Sequence, residues 1–361
     1  MAYKTDNENF MAQALKLAAR GKGFTSPNPA VGCVIVKNGR VIAGDYHHEA
    51  GLPHAEALAL NQAGAAAKNA DLYVTLEPCC SYGRTPPCTE AIIKAGIKRV
   101  FIGTIDPNPA VNGRGIEILV HAGIEVETGV LRKRCESLIR SYIKFITTGL
   151  PLVTIKYAQS LDGRIAAKSG ASQWISSPGS LKFAHQLRSW HDAILVGANT
   201  ANHDDPQLTV RLVKGNNPVR IVLSGSGLVE PGLKLFHDKV TKTILATSRK
   251  GRKLFEDSKG NCDMMTLPIK VGELNLRALL EKLAKRGITS LLIEGGSGVI
   301  TSFIKQNLVD RMIIVSAPII IGDGISGVGD LKTKTIDKAR RLINIEQRKI
   351  GPDCLIMGDL A

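Results

Sequence analysis

The chain has 361 residues, with 47 Lys and Arg against 32 Asp and Glu, a formal net charge of +15. Its 44 % hydrophobic and 22 % charged residues are those of a soluble globular protein with room for two domains of roughly 150 to 200 residues each. The most apolar run, 312–321, is far shorter than the ~20 residues of a spanning helix, and 4 % aromatic residues leave few platforms for stacking bases. The basic residues are scattered, and the densest knot, Arg132-Lys133-Arg134, falls in a predicted surface helix. Membrane and nucleic acid are therefore disfavoured, and phosphate-bearing small molecules best account for the charge. An odd count of seven cysteines predicts reduced thiols in a cytosol, with any close cluster serving as metal ligands. Asp6 and Glu8 ahead of an amphipathic run argue against a secretory signal, so a cytoplasmic location is expected.

Helical spacing of apolar residues predicts a helix over 9–19. Strands at 31–36 and 41–43 flank Lys37-Asn38-Gly39-Arg40, the Asn-Gly pair predicting a hairpin. Helices from about His54 and Pro87 then alternate with strands at 72–76, 100–103 and 124–126, and one long helix over 131–145 follows. Such alternation predicts a largely parallel sheet covered by helices. Thr147 to Pro151 breaks the pattern, so domains are expected at 1–148 and 149–361. The second half restarts with a strand at 152–158. Further strands are expected at 193–196, 219–223, 243–247, 290–293 and 312–315, and a helix at 274–285, giving a second α/β domain.

The first half carries His54-Ala55-Glu56, then Pro78-Cys79-Cys80, and Cys88 nine residues after Cys79. One imidazole and two thiolates form a three-ligand zinc set that leaves a fourth position for water. A water so bound can ionise near pH ~7, and Glu56 suits the general acid/base that moves its proton. Because residues two apart do not share a helix face, His54 should sit at the helix start. A purely structural zinc site would need a fourth ligand such as Cys80 and would have no use for Glu56. The pattern resembles the cytidine-deaminase-like superfamily, whose signature is His-x-Glu followed by Pro-Cys-x-x-Cys. Tyr82 stands where the second Cys of that signature would fall, and Cys88 lies beyond a loop instead.

The whole chain resembles the RibD family of bifunctional riboflavin-biosynthesis proteins, a deaminase fused to a reductase. The likeness rests on Ser26-Pro27-Asn28-Pro29-Ala30-Val31-Gly32, His54-Ala55-Glu56, the run from Leu76 to Cys88 containing Gly83-Arg84-Thr85-Pro86-Pro87, and Asp106-Pro107-Asn108-Pro109. The resemblance implies an N-terminal cytidine-deaminase-like α/β/α sandwich and a C-terminal dihydrofolate-reductase-like α/β domain. It implies zinc-hydroxide deamination of 2,5-diamino-6-ribosylamino-4(3H)-pyrimidinone 5′-phosphate at its 2-amino group. NADPH reduction of the ribosyl group would then give 5-amino-6-(5-phosphoribitylamino)uracil. Asn28, Arg84, Asp106 and Asn108 match positions that contact the pyrimidine ribotide. Cys79-Cys80-Ser81 replaces the family's usual Cys-Ser-His, removing a loop histidine that is not a metal ligand.

In the second half the residues themselves give less. A buried strand, Leu291-Leu292-Ile293-Glu294, runs into Gly295-Gly296-Ser297-Gly298 and then a helix. Such a turn lets backbone approach a phosphate at a helix N-terminus, and it equally serves as a tight turn. Lys156-Tyr157-Ala158, Ser160 to Arg164, Ser172 to Ile175, His185 to Arg188, and the stretch from Ala193 to Leu208 resemble the family's reductase. The resemblance implies that Ala158, Trp174, Thr200, Asp204, Gly296, Ser297 and Gly298 line NADPH. It implies that Lys156, Ser172, Arg188, Leu208, Arg211 and Glu294 hold the substrate, the two arginines suiting its phosphate. Lys156 and Glu294 are the candidates for orienting or protonating the sugar. Superfamily likeness implies a homo-oligomer. The competing readings are a nucleic-acid-editing zinc deaminase with an appended binding domain and a non-catalytic zinc scaffold. His47 and His48, adjacent and therefore expected to point apart, are set aside as site residues.

Overall fold

The computed structural model describes residues 6–82, 86–258 and 262–361. The chain separates into two compact units, Met1–Gly149 and Leu150–Ala361. In the first, strands β1 (Gly32–Lys37), β2 (Arg40–Tyr46), β3 (Asp71–Val74), β4 (Arg99–Ile102) and β5 (Glu125–Thr128) form one sheet ordered β2-β1-β3-β4-β5. Its helices are α1 (Asp6–Gly21), α2 (Ala55–Ala63), α3 (Cys88–Lys94), α4 (Arg114–His121), α5 (Arg132–Leu138) and α6 (Arg140–Thr148). The expected parallel pairing holds only for β3, β4 and β5, because β1 is antiparallel to both β2 and β3. The hairpin forces the first reversal: Asn38 and Gly39 both take positive φ (49° and 72°), as a two-residue turn of that kind requires.

Alternation along the strands makes the unit three-layered. Val34, Val36, Tyr73 and Phe101 pack with Met11, Ala14 and Leu15 of α1 and with Cys135 of α5. Their strand neighbours Cys33, Ile35, Leu72, Val74, Val100 and Ile102 pack with Ala55, Ala59, Leu60, Ile92 and Leu119 from α2, α3 and α4. The single long helix expected over 131–145 is instead α5 and α6, broken at Ile139 (φ −103°, ψ 20°). Cys135 belongs to the α1-side core and Ile139 to the opposite one. Residues four apart on a straight helix share a face, so the chain turns between them.

The second unit is built on a nine-stranded sheet ordered β11-β10-β9-β8-β14-β6-β15-β18-β17. In chain order its elements are β6 (Leu152–Gln159), β7 (Arg164–Ala167), α7 (Pro178–Ser189), β8 (Ala193–Gly197), α8 (Ala198–Asp204) and β9 (Val219–Ser224). Then come α9 (Lys234–His237), β10 (Thr243–Thr247), α10 (Arg249–Asp257), β11 (Asp263–Thr266), β12 (Ile269–Lys270), β13 (Glu273–Leu274) and α11 (Leu276–Ala284). β14 (Ser290–Gly295), α12 (Ser297–Lys305), β15 (Arg311–Ser316), β16 (Gly324–Ser326), β17 (Leu342–Ile350) and β18 (Asp353–Leu360) complete it. From β11 to β15 every pairing in the large sheet is parallel, and the last two, β15–β18 and β18–β17, are antiparallel. Leu279, Leu283, Ile300 and Phe303 of α11 and α12 cover one face, and Leu187 and Phe255 of α7 and α10 cover the other.

Candidate active sites

In the first unit the side chains expected to hold metal come from three places. His54 is the N-cap of α2, with extended backbone (φ −75°, ψ 163°). Cys88 opens α3 behind Pro87, and Cys79 lies in the loop after β3. Their donor atoms all lie within 4.8 Å of one another: each thiol is 3.3–3.4 Å from His54 Nδ1. The Cys88 backbone N–H also donates to Cys79 Sγ at 3.3 Å, the helix-start donor that favours a thiolate. Contact with the Cys88 thiol and the His54 ring holds the Cys79 thiol down at about 4, while that same contact and burial push Cys88 up. Two thiols so close cannot both ionise beside an unaided imidazole, and a divalent cation removes that conflict. The donor set and its spacing therefore fit zinc. Cys80 stands apart, its Sγ 3.9 Å from the Ala110 carbonyl, so the fourth protein ligand of a structural site is not supplied by it.

Glu56, on the first turn of α2, is 3 % exposed, and burial, reinforced by the Cys79 thiolate, raises its pKa. It opens onto a cavity of about 600 Å³ lined by Asn28, His47, His54, Cys79, Asp106, Asn108 and Tyr142, among others. Asn28, Asp106 and Asn108 are thus brought to the metal triad, whereas Arg84 lies outside the described residues. Two further lining residues carry weight that the sequence reading did not give them. His47 is buried, and the Pro53 carbonyl 3.2 Å from its Nδ1 requires a proton there. Its Nε2 must then accept from the Asn28 amide nitrogen at 3.3 Å, which turns the Asn28 side-chain carbonyl to other partners. Tyr142 on α6 donates to Asp106 Oδ1 at 2.9 Å. His47 and His48 do point apart, His48 going to Asp45; that divergence is what frees His47 for the cavity.

In the second unit Lys156 on β6 and Glu294 on β14 sit one step beyond the paired residues Ile155 and Ile293. Arg188 on α7 donates through Nε and Nη2 to the two Glu294 oxygens at 2.9 and 2.7 Å, and through Nη1 to the Thr209 carbonyl at 3.2 Å. The two arginines expected at a phosphate differ in their partners here: Nε and Nη2 of Arg188 are engaged by Glu294, whereas Arg211 donates to Thr209 Oγ1. Burial alone would raise the Glu294 pKa, but Arg188, with Lys156 and His185, more than offsets it and the net shift is downward. Burial lowers that of Lys156, with Glu294 opposing. His185, one turn before Arg188, accepts the Arg211 backbone N–H at 3.0 Å.

The glycine turn lies where β14 ends. Gly296 takes φ 79°, and a Cβ there would sit 3.2 Å from Thr200 Oγ1 on α8. Across the neighbouring hollow of about 270 Å³, Gly225 after β9 faces Gly298 and Ser302 of α12. Glycine backbone around a helix N-terminus, at the C-terminal ends of parallel strands, is the setting in which open α/β sheets take dinucleotides, so these residues fit NADPH. Leu208 is buried with φ 54°. Ala158 and Ser172 are half-buried and Asp204 is exposed. Trp174 is 74 % exposed.

Residues 151–356 match the family model described as RibD C-terminal domain, and residues 4–104 match the cytidine and deoxycytidylate deaminase zinc-binding region. The riboflavin biosynthesis protein RibD of Aquifex aeolicus is 43 % identical over 351 residues, 97 % of each chain. That of Bacillus amyloliquefaciens is 42 % identical, covering 96 % of this chain and 94 % of its own. The chain belongs to the RibD family. Solved RibD of Acinetobacter baumannii superposes with a TM-score of 0.86 at 34 % identity, covering 99 % of each chain. A Thermotoga maritima diaminohydroxyphosphoribosylaminopyrimidine deaminase/5-amino-6-(5-phosphoribosylamino)uracil reductase superposes at 0.85 and 35 % identity, with 99 % of each chain covered. The RibD assignment makes this a bifunctional enzyme of riboflavin biosynthesis, with a zinc-binding deaminase domain and an NADPH-using reductase domain. The nucleic-acid-editing alternative is not favoured, because the RibD C-terminal model accounts for the half that would have been an appended binding domain.

Proposed function

We propose that the first unit removes the 2-amino group of 2,5-diamino-6-ribosylamino-4(3H)-pyrimidinone 5′-phosphate as ammonia, and that the second reduces the ribosyl chain of the product to ribityl. His54, Cys79 and Cys88 would hold zinc. Zinc bound there supplies the Lewis acidity that makes water nucleophilic at neutral pH. The Glu56 carboxylate takes the proton of the attacking water and passes it to the departing nitrogen; its burial, which raises its pKa, suits it to both halves of that transfer. Asn28, held by His47, turns its carbonyl toward substrate N–H groups, and Asp106 and Asn108 address the ribotide. In the second unit Gly296, Ser297, Gly298 and Thr200 would cradle NADPH, which supplies hydride. Lys156, desolvated beside Glu294, is the proton source for the sugar oxygen, and Arg211 meets the phosphate.

The observation that carries this reading is the convergence of one imidazole and two thiols beside a buried carboxyl. The test follows ammonia release and NADPH absorbance separately, with the diaminopyrimidine ribotide supplied with and without NADPH. Ammonia should appear without NADPH, and NADPH should be consumed only once deaminated ribotide is present. Glu56→Gln should slow ammonia release by about 10²–10⁴-fold, with zinc retained and reduction of pre-deaminated ribotide intact. Unaltered ammonia release in that variant would overturn the assignment. We further infer a cytosolic homo-oligomer that does not engage nucleic acid. Seven free thiols fit a reducing compartment, and the exposed edge strand β17, with Ile343 and Ile345 half exposed, suits pairing with a second copy.

A further inference from the structure

Glu77 lies between β3 and Cys79 and is 3 % exposed. Among the described residues its carboxylate bonds to no metal-ligating residue and no cation; it accepts four backbone N–H groups. Oε2 takes those of Asp106 at 3.1 Å and Gly113 at 3.0 Å, and Oε1 takes those of Gly115 at 3.0 Å and Ile116 at 3.4 Å. Its own N–H donates to the Thr104 carbonyl at 2.9 Å. All these partners belong to one stretch, 104–116, which leaves β4 and enters α4. That stretch carries Asp106, Asn108 and Val111 into the wall of the deaminase cavity. Between its ends it has no helix or strand, and among the described residues the side chains of Asp106 and Asn108 bond only short-range neighbours apart from Tyr142. The approach is close: a Cβ on Gly115 would sit 2.3 Å from the Pro78 carbonyl and 3.1 Å from Glu77 Oε1.

We propose that Glu77 is a positioning residue for deamination: its carboxylate fixes the substrate-binding stretch 104–113 at a set distance from the metal triad. Pro78 alone separates Glu77 from Cys79, so one short segment holds both a metal ligand and the anchor of the opposite wall. Substrate binding by Asp106 and Asn108 is thereby keyed to the metal position. Only an ionised carboxylate can accept all four donors; the amide of Gln would turn two N–H donors against them. The effect should fall on ribotide binding, because Glu77 moves no proton and touches no reacting atom.

This inference rests on the proposed deaminase reading, and the experiment separates the two. Glu77→Gln, Glu77→Asp and Gly115→Ala are compared with wild type for ammonia release, zinc content, hydrogen–deuterium exchange over 104–116, and NADPH-linked reduction of pre-deaminated ribotide. The expected result for Glu77→Gln is a KM raised by about 10-fold or more with kcat within about 3-fold, since an ångström of misplacement can cost up to ~10². Exchange over 104–116 should quicken, with zinc and reduction unchanged. Glu77→Asp, which keeps the charge but is a methylene shorter, should fall between, and Gly115→Ala should reproduce the KM effect. Faster exchange with wild-type KM would overturn the proposal, as would loss of zinc in parallel with activity, which would make Glu77 a support for the metal loop alone. If wild type released no ammonia, the deaminase reading itself would fail, while unchanged exchange in Glu77→Gln would separately reject the anchor.

Discussion

His185 is a buried imidazole whose Nδ1 must stay unprotonated to accept the Arg211 N–H. Burial, reinforced by Arg188 and Arg211, pushes its pKa down to about 4 from an ordinary 6.5. Between those values the unfolded chain binds a proton that the folded ring refuses. Stability from this group is therefore complete above pH 6.5 and declines as pH falls toward 4. Gln at this position can still accept from Arg211 but does not titrate. His185→Gln should make the acid limb of the unfolding curve shallower in that window and change little above it. An acid limb of unaltered slope would assign the sensitivity to other groups. The same residue explains why the Arg211 backbone is fixed while its guanidinium, which donates to Thr209 Oγ1 at 2.7 Å, is left to address an anion.

At the scale of elements, the first unit depends on how closely α1 lies against β1. Gly32 sits under the helix: a Cβ there would meet the Ala14 carbonyl at 2.1 Å and the Ala18 nitrogen at 2.7 Å. Backbone cannot yield as a side-chain tip can, so Gly32→Ala must push α1 off the sheet. The cost expected is about 1–3 kcal/mol, read as an earlier urea midpoint for loss of deaminase activity. A midpoint equal to wild type would mean that the helix docks less tightly than these distances indicate. The same elements mark where sequence reasoning stopped. Strands with apolar residues on both faces, such as β3 and β14, were legible as continuous apolar runs. β17 was not, because seven of its nine residues are exposed and no apolar run announces it; β18 buries Leu355 and Met357 but needs that partner to be recognised. The break at Ile139 was likewise hidden, since helical spacing continues across it and only the assignment of Cys135 and Ile139 to different cores reveals it.

Across the whole molecule, His54, Glu56, Cys79 and Cys88 could be named from spacing because a metal site demands particular atoms at short chain separations. His47, Tyr142 and Glu77 could not, since each acts on a partner 19 to 39 residues away and is an ordinary residue type in isolation. The two activities, in contrast, were separable in sequence, and the cores show why. The clusters of the first unit draw on residues up to Ile143, and those of the second begin at Leu150. Each is large enough to support independent folding. Chains cut after Gly149 should therefore each fold. The 1–149 piece should bind zinc and release ammonia within about one order of magnitude of the intact rate. The 150–361 piece should oxidise NADPH with deaminated ribotide to a similar degree. Mixing the pieces should restore the two-step sequence with a lag set by accumulation of the free intermediate. A folded, zinc-loaded 1–149 piece without deaminase activity would show instead that the first site is completed by residues beyond Gly149, and the assignment of one activity to each unit would have to be withdrawn.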